Sequence, residues 1–398
     1  MKKHILVVSQ YFYPEQFRIN DIASEWVKRG HKVTVLTGIP NYPQGKFYAG
    51  YGWFKKRKEN WNGVDVIRIP LIARGSNAIG MVLNYLSFVV SGFFWKSFTK
   101  VKADVVFTFE VSPMTQALIG VWYAKKHKIP NYLYVQDLWP ENVEIITGIR
   151  NKAIIGPISK MVNYIYKNCD KIFATSPSFV KQIQKRTPGE EEKVEYWPQY
   201  AEDFYQPTDV KSELIPQDGV LNVTFTGNIG TAQGLEILPK TAKLLKERSV
   251  KVRFNIVGDG RNKNNLIAQI KAEDVEEYFN LIGQRPATEI PSILASSDVA
   301  FLSFANNPLY EMTIPAKLQS YMACGCSIIA SAGGETERII REAGCGLCAP
   351  IGDAAELANN ICQMANDAAL RSMGACARNY FERQFNKKKL MDQMSCYL

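Results

Sequence analysis

The stretch VAFLSFANNPLYEMTIPAKLQSYMACGC (residues 299–326) sets a short apolar run just before a helical pattern. Residues 299–303 have the composition of a buried strand, and 315–323 have the apolar spacing of a helix that begins at Pro315. A strand followed closely by a helix is the repeating unit of a parallel sheet that is covered by helices. This stretch therefore favours an α/β fold.

The same alternation recurs outward from this stretch in both directions. The sequence predicts strands at residues 5–8, 33–36, 64–69, 105–109, 132–135 and 171–174, and again at 223–226, 253–257, 279–282, 299–303 and 327–330. It predicts helices at residues 19–29, 78–98, 235–248, 264–272, 290–296 and 315–323. The repetition predicts two parallel sheets with helices on both faces.

A chain of 398 residues suits two domains of ordinary size. Residues 200–219 are rich in acidic residues and proline and lack periodicity, so we predict a linker there. The predicted domains are residues 1–205 and 206–375, and a terminal helix at 376–398 is expected to return to the first domain. Ligands of open α/β sheets bind at the carboxyl ends of the strands, so we expect a cleft between the two sheets.

Positive charge is concentrated at the start of the chain. Residues 1–100 contain 15 Lys and Arg against 5 Asp and Glu, whereas the remaining residues contain 33 of each. This asymmetry predicts an anionic partner for the first domain: a lipid surface, a phosphorylated ligand or nucleic acid.

The apolar run at residues 5–8 is too short for a signal peptide, which predicts a cytoplasmic protein. The eight cysteines are expected to be reduced thiols. Cys324 and Cys326, like Cys345 and Cys348, are interpreted as small buried residues rather than metal ligands, so no metal site is expected.

Residues 78–98 form the longest apolar helical pattern. Polar residues interrupt it, and three interpretations remain: a helix packed in its domain, an interfacial membrane helix, or a transmembrane span. The basic run at 55–58, flanked by Trp53, Phe54 and Trp61, resembles the aromatic and cationic residues that suit a headgroup layer.

The helix start near Pro315 has the features of an anion site. Proline suits the first helical position, where free backbone N–H groups and the ammonium of Lys317 would point at one spot. The neighbouring Glu311 fits a two-sided ligand, such as a nucleotide sugar, with phosphates toward the helix and hydroxyls toward the carboxylate. The alternative is a solvated lysine, a surface glutamate and a proline that only starts a helix.

Two glycine turns follow predicted strands of the second half. Gly227, Asn228 and Gly230 come after residues 223–226, and Gly258 comes after residues 253–257. Such turns allow backbone N–H groups to approach a phosphate, although many strand-to-helix turns contain glycine for steric reasons alone.

Five segments together resemble family 4 of the retaining glycosyltransferases: RGHKVTVLTG (29–38), QDLWPE (136–141), GNIGTAQGLE (227–236), IVGDG (256–260) and EMTIPAKLQSYMACG (311–325). They occur in the family's order across nearly the whole chain. The segments YFYPEQFRIND (11–21), GIPNYPQGKFYAGY (38–51) and NYLSFVVSG (84–92) are similar to the bacterial branch for O-antigen, capsule and colanic acid, which includes N-acetyl-L-fucosamine transferases.

The resemblance implies a GT-B fold, with two Rossmann-like domains whose parallel sheets face each other across a cleft. Glu311 matches the family's donor-sugar carboxylate. Gln319 stands where the family has a second glutamate, which implies an uncharged contact to ribose. Asn228 and Gln233 stand where the family commonly has cations for the pyrophosphate. We expect Lys317 and Arg18, the latter on the loop after the first strand, to replace them, with Arg261 as a further candidate.

The resemblance also implies a metal-independent retaining reaction without a cofactor. No Asp-x-Asp motif occurs, so fixed dipoles and side-chain cations would stabilise the departing UDP. The leaving phosphate itself would accept the proton of the acceptor. Asp137 occupies the place of a family His-Asp pair and is expected to orient hydroxyls; its alternative role is capping a turn before Pro140.

We therefore expect a hexosyl- or N-acetylhexosaminyltransferase, peripheral on the cytoplasmic face of the plasma membrane. It would move an N-acetylated or 6-deoxy amino sugar from UDP to an undecaprenyl-pyrophosphate-linked saccharide in O-antigen or capsule synthesis. The alternatives are a UDP-sugar 2-epimerase and a binding module for membrane or RNA; no RNA-binding motif accompanies the basic residues, so no nucleic-acid partner is expected. The loop after the first strand lacks GxGxxG, which excludes a nicotinamide dehydrogenase.

Overall fold

The computed structural model describes residues 2–75 and 77–398, which divide into two compact units. The first unit comprises residues up to Trp197 together with Cys396–Leu398, and the second comprises Pro198–Ser395. Each unit is a parallel sheet with helices packed on it, as the alternation of apolar strands and helical patterns predicts.

The first unit contains an eight-stranded sheet in the order β3-β4-β2-β1-β5-β6-β7-β8. All neighbours pair in parallel except β3, which is antiparallel to β4. The strands are β1 His4–Val8, β2 Lys32–Gly38, β3 Lys58–Trp61, β4 Val64–Ile69, β5 Val105–Glu110, β6 Asn131–Val135, β7 Lys171–Ala174 and β8 Val194–Tyr196. The helices are α1 Arg18–Lys28, α2 Ala78–Phe98, α3 Ala117–His127, α4 Glu141–Thr147, α5 Lys152–Lys167 and α6 Pro177–Gln184.

The second unit contains a six-stranded parallel sheet in the order β11-β10-β9-β12-β13-β14. Its strands are β9 Leu221–Thr226, β10 Val252–Val257, β11 Phe279–Gly283, β12 Val299–Ser303, β13 Ile328–Ser331 and β14 Gly346–Ala349. Its helices are α7 Ile237–Glu247, α8 Lys263–Ala272, α9 Ile290–Ala295, α10 Pro308–Glu311, α11 Ala316–Ala323, α12 Gly334–Ala343, α13 Ala354–Asn366, α14 Ala368–Arg371, α15 Gly374–Gln384 and α16 Lys387–Ser395.

All eleven predicted strands are present, and three further strands were not predicted. These three, β3, β8 and β14, are short edge strands of three or four residues. Edge strands are half-solvated and carry polar residues or glycine, as in the sequence KENW of β3, so they lack the apolar run that marks a central strand.

The division between the units lies at residues 197 and 198, earlier than the predicted boundary at 205. The predicted linker 200–219 is part of the second unit, because Ala201 and Ile215 are buried in its core. The terminal region also differs from the prediction. Tyr380 and Phe381 of α15 pack into the core of the second unit, and only residues 396–398 join the first. There, Tyr397 accepts a hydrogen bond from the Tyr132 hydroxyl at 3.0 Å.

Helix α2 packs against the first unit through a narrow inner face. Asn84, Phe88 and Gly92, spaced four residues apart, are buried, and a Cβ at Gly92 would overlap the side chain of Ile119 on α3. On the opposite side lies an exposed apolar face, which we call the outer face of α2: Ile79, Val82, Leu83, Leu86, Val90, Phe93, Phe94 and Phe98.

Among the described residues, α2 is the single helix that is long and apolar enough to cross a membrane by length and composition. The same test is passed by core helices of soluble proteins, and α2 is neither a buried core helix nor detached from its unit. Its inner face follows the prediction of a packed domain helix, whereas its outer face remains uncovered within the unit.

Candidate active site

Two glycine turns form the floor of the candidate site at the carboxyl edge of the second sheet. Gly227 follows β9 with φ +132°, and Gly258 follows β10 with φ +151°. The Gly227 amide donates to the Val257 carbonyl at 2.8 Å, and any Cβ at Gly258 would overlap the Gly227 carbonyl. Gly258 must be glycine because the two turns lie directly against each other, and the positive φ of Gly227 favours glycine there as well.

Lys317 reaches this floor from the first turn of α11. Its ammonium donates to the Gln233 side-chain oxygen and lies 4.0 Å from the centre of the Phe225 ring. A Cβ placed on Gly227 would lie 3.1 Å from Lys317 Cε. The structure thus brings together the predicted lysine and the predicted glycine turn, which are 90 residues apart in sequence.

The Lys317 ammonium is poorly solvated and forms no ion pair with any residue that the structure describes. Burial disfavours the charged form and lowers the pKa of Lys317 to about 7. An anion at the glycine turn would supply the missing counter-charge. The Phe225 ring face and the Gln233 oxygen are the contacts that hold the ammonium in place.

Pro315 is the N-cap of α11, not its first helical residue as predicted. Its ψ of 140° is extended, so the helix begins at Ala316 and Lys317 is the second helical residue. The first hydrogen bond of this turn runs from the Leu318 amide to the Pro315 carbonyl at 3.0 Å. The amides of Ala316 and Lys317 precede that bond, and this is the terminal geometry that favours anions.

Glu311 ends the short helix α10 and is exposed. Its backbone lies against Gly334, whose φ of +58° and close approach leave no room for a side chain. A Cβ on Gly333 would lie 3.6 Å from Glu311 Oε1, so the carboxylate sits beside the start of α12. Glu311 is therefore accessible to a ligand and is positioned by two glycines that the sequence analysis did not single out.

Gln319 is buried on α11, one turn beyond Pro315. Its side-chain nitrogen donates to the Gln199 carbonyl at 2.9 Å, whereas its Oε1 has no hydrogen-bond partner among the described residues. A buried acceptor without a donor costs roughly 1–3 kcal/mol, so a ligand hydroxyl would be a favourable partner.

The remaining predicted residues of the second unit line the two turns. Asn228 is exposed, and its side-chain nitrogen would lie 2.8 Å from a Cβ on Gly230. Arg261 is exposed in the loop between Gly260 and α8. The structure places Asn228, Gly230 and Arg261 at the same sheet edge as Gly227.

The predicted residues of the first unit lie at the carboxyl edge of its own sheet. Asp137 follows β6, and its Oδ2 accepts a hydrogen bond from the Ser112 amide at 2.7 Å. Desolvation raises the pKa of Asp137, and the bonds from Ser112 oppose this rise. The carboxylate thus ties the loop after β6 to the loop after β5, rather than capping a turn within its own loop.

Arg18 is the first residue of α1, not a residue of the preceding loop as predicted. The extended conformation of Phe17 makes that residue the N-cap, which moves the helix start to Arg18. The charge of Arg18 opposes the rise in the pKa of Tyr134 that burial causes, so the guanidinium lies close to β6.

Glu110 is a candidate that the sequence analysis missed. It ends β5, is fully buried, and neither of its carboxylate oxygens has a hydrogen-bond partner in the described part of the chain. Burial, reinforced by the charge of Asp137, raises the pKa of Glu110 well above its usual value. The available signal was a carboxylate at the end of the apolar strand VVFTFE.

Within the described residues, no group of three or more His, Cys, Asp or Glu side chains could hold a metal ion. All eight cysteines are free thiols. Burial raises the pKa of Cys324, Cys326, Cys345 and Cys348, which disfavours the thiolate form that metals require.

Two family models match the chain, one for each unit. Residues 17–199 match Glycosyltransferase Family 4, and residues 221–367 match Glycosyl transferases group 1. The colanic acid biosynthesis glycosyl transferase WcaI of Escherichia coli (strain K12) is 27% identical over 360 residues, covering 84% of each chain. The alternative of a UDP-sugar 2-epimerase receives no support from these matches.

Solved structures show the same fold. Sucrose-phosphate synthase of Thermosynechococcus elongatus superposes with a TM-score of 0.78 at 16% identity, over 100% of this chain and 98% of the other. HepE of Anabaena, in complex with UDP-glucose, gives a TM-score of 0.69 at 15% identity, over 99% and 98%. The protein is a glycosyltransferase of GT-B fold, whose first unit matches the Glycosyltransferase Family 4 model and whose second unit matches the Glycosyl transferases group 1 model.

Proposed function

We propose that this glycosyltransferase moves a sugar, with retention of configuration, from a UDP-sugar to a lipid-pyrophosphate-linked saccharide. The observation that carries the proposal is the Lys317 ammonium, held at the glycine turn without a counter-ion from any described residue. A cation in this state is suited to a diphosphate, since an anion there would gain a charge-assisted hydrogen bond in a poorly solvated place.

The donor would bind along the carboxyl edge of the second sheet. Its diphosphate would contact Lys317 and the turn at Gly227, and the buried Oε1 of Gln319 would accept a hydrogen bond from ribose. The exposed carboxylate of Glu311 would accept hydrogen bonds from hydroxyls of the sugar. The HepE complex with UDP-glucose supports UDP as the nucleotide of the donor.

The reaction breaks the bond between the anomeric carbon and the diphosphate oxygen and forms one to an acceptor oxygen. The acceptor hydroxyl would attack from the face that the diphosphate leaves, and its proton would pass to the departing phosphate. Lys317 would stabilise the negative charge that grows on the leaving group. Arg18, Arg261 and Asp137 remain predicted contacts of the substrates, with Asp137 orienting hydroxyls.

The acceptor and pathway are inferred from the relative and from the surface of the first unit. WcaI carries a name from colanic acid biosynthesis, which supports a role in exopolysaccharide, capsule or O-antigen assembly. The outer face of α2 and the positive first hundred residues suit a peripheral position on an anionic membrane, where a lipid-linked acceptor lies. The sugar that we propose is transferred remains an N-acetylated or 6-deoxy amino sugar.

The donor assignment is tested by thermal stabilisation with UDP-, GDP- and TDP-sugars. A UDP-sugar at a hundred times its dissociation constant adds about 2.7 kcal/mol, a shift of about 5–10 °C in the melting temperature. Lys317→Met should weaken binding by about tenfold to a hundredfold, since a hydrogen bond to a charged group contributes about 1.5–3 kcal/mol. The matched control is Lys271→Met on α8, an exposed lysine.

Unchanged affinity in Lys317→Met would remove Lys317 from the donor site. Stabilisation by a GDP- or TDP-sugar in place of the UDP-sugar would overturn the nucleotide assignment. Radiolabelled sugar transfer to a lipid-pyrophosphate acceptor, with product anomers distinguished by NMR, tests the reaction and its retention.

A further inference from the structure

A basic groove of about 1010 Å³ lies in the first unit, away from the carboxyl edge of the sheet. His4 and Lys32, the first residues of β1 and β2, line it, so it opens at the amino edge of these strands. We define the basic groove by its exposed cations Lys32, Lys58, Lys100 and Lys102.

These four lysines form no ion pair with another residue of the described chain. Two acids also line the groove: Glu59 pairs with the buried Arg68 at 2.5 Å, whereas Asp65 accepts a hydrogen bond from the uncharged Asn60 side chain at 3.1 Å and keeps its negative charge. Four lysines against the one unpaired carboxylate of Asp65 leave the groove with a surplus of positive charge. Phosphate-bearing groups are the complementary ligands.

The last turn of α2 forms one wall of the groove. Trp95 and Phe98 line it, and Phe98 is 80% exposed. The groove therefore combines ammonium groups with large apolar side chains, which a purely polar ligand would leave uncovered. An anionic group attached to a hydrocarbon chain satisfies both features.

The position of α2 shows where the hydrocarbon chain of such a ligand would lie. Near its start, Asn84 accepts a hydrogen bond from Gln10, which follows β1 at the carboxyl edge. Its last turn borders the basic groove at the amino edge. The outer face of α2, about 30 Å long for 21 residues, thus leads to the groove at its carboxyl-terminal end.

We propose that the basic groove binds the headgroup phosphate of an anionic membrane phospholipid, while the outer face of α2 contacts the acyl chains. This inference rests on the proposed membrane position of the enzyme and names the site that would produce it. It predicts selectivity for anionic lipids, because the apolar face alone would not distinguish them from zwitterionic ones. One bound phospholipid would fix the orientation of the first unit on the membrane.

The test is co-sedimentation of the full chain with phosphatidylcholine vesicles that contain or lack phosphatidylglycerol. The groove variant is Lys100→Glu with Lys102→Glu. The control is Lys251→Glu with Lys271→Glu, exposed lysines of the second unit that give the same change in net charge. Each basic residue near an anionic surface contributes about fivefold to binding, so the groove variant should bind at least tenfold more weakly. The control should stay within about twofold of the parent.

Equal binding of the groove variant and the parent would overturn the proposal, as would equal binding to vesicles with and without phosphatidylglycerol. A competition experiment with glycerol phosphate in solution distinguishes a lipid site from a general phosphate site. If it competes with vesicles at similar concentrations, the groove is a general phosphate site and the lipid assignment fails.

UDP-sugar stabilisation, measured on the same variants, separates this proposal from the proposed function. If a UDP-sugar still stabilises the parent and the groove variant binds vesicles as well as the parent does, only the lipid site is rejected. Absent stabilisation in the parent rejects the donor assignment, while groove-dependent vesicle binding would still support the lipid site.

Discussion

The burial of Lys317 at the candidate site makes the stability of the protein depend on pH. Its lowered pKa, about 7 against 10.5 for a free lysine, means that the folded protein releases this proton above pH 7 while the unfolded chain keeps it. The contribution of Lys317 to the free energy of unfolding therefore rises with pH between about 7 and 10. Below pH 7 the charged form is tolerated but poorly solvated.

Proton uptake on donor binding is the prediction at this scale. A diphosphate would raise the pKa of Lys317, so at about pH 8.5 binding should take up close to one proton and affinity should fall as pH rises from 7. Calorimetry of the best UDP-sugar in buffers of different ionisation enthalpy measures this uptake. Lys317→Arg, which stays charged, should abolish it. No uptake by the parent would contradict the prediction.

Helix α2 is the element whose placement depends on a single glycine. At Gly92 the helix approaches α3 so closely that a Cβ would overlap Ile119, whereas Gly156 of α5 has no heavy atom within 4 Å of the corresponding position. The two glycines therefore form a matched pair. The same substitution should be far more costly in α2 than in α5.

Gly92→Ala should destabilise the fold by about 1–3 kcal/mol through overpacking. Gly156→Ala should change the stability by less than about 1 kcal/mol, because the helix preference of alanine is opposed by the steric restriction that Pro157 places on the residue before it. Urea denaturation at equilibrium measures both free energies of unfolding. Adding Ile119→Ala should recover part of the loss at Gly92; a neutral Gly92→Ala would show that the helices are not in tight contact.

At the scale of the whole molecule, the two units are expected to bind different partners. A UDP-sugar should slow hydrogen exchange in residues 227–234, 258–262 and 316–319 of the second unit. Anionic vesicles should slow exchange around the amide groups of α2 and of residues 99–102 in the first unit. Hydrogen–deuterium exchange with mass spectrometry maps both footprints. Protection by vesicles confined to the second unit would contradict this division of roles.

The sequence by itself determined the α/β class, eleven of the fourteen strands of the described chain and the presence of a lysine at a helix start after a strand. These features follow from local rules: apolar periodicity, helix capping and the backbone freedom of glycine. Local rules also explain the small errors at Pro315 and Arg18, where one extended residue shifted a helix start. The short edge strands lacked a local signal.

Only the tertiary structure decided which of these groups meet. It placed the Lys317 ammonium on Gln233 and beside Gly227, and it buried Glu110 near Asp137. It also brought four lysines from three separate segments into the basic groove. It also packed the predicted linker into a core. Strand order and close packing bring together residues far apart in sequence, and burial then alters their charge states, so no local pattern contains that information.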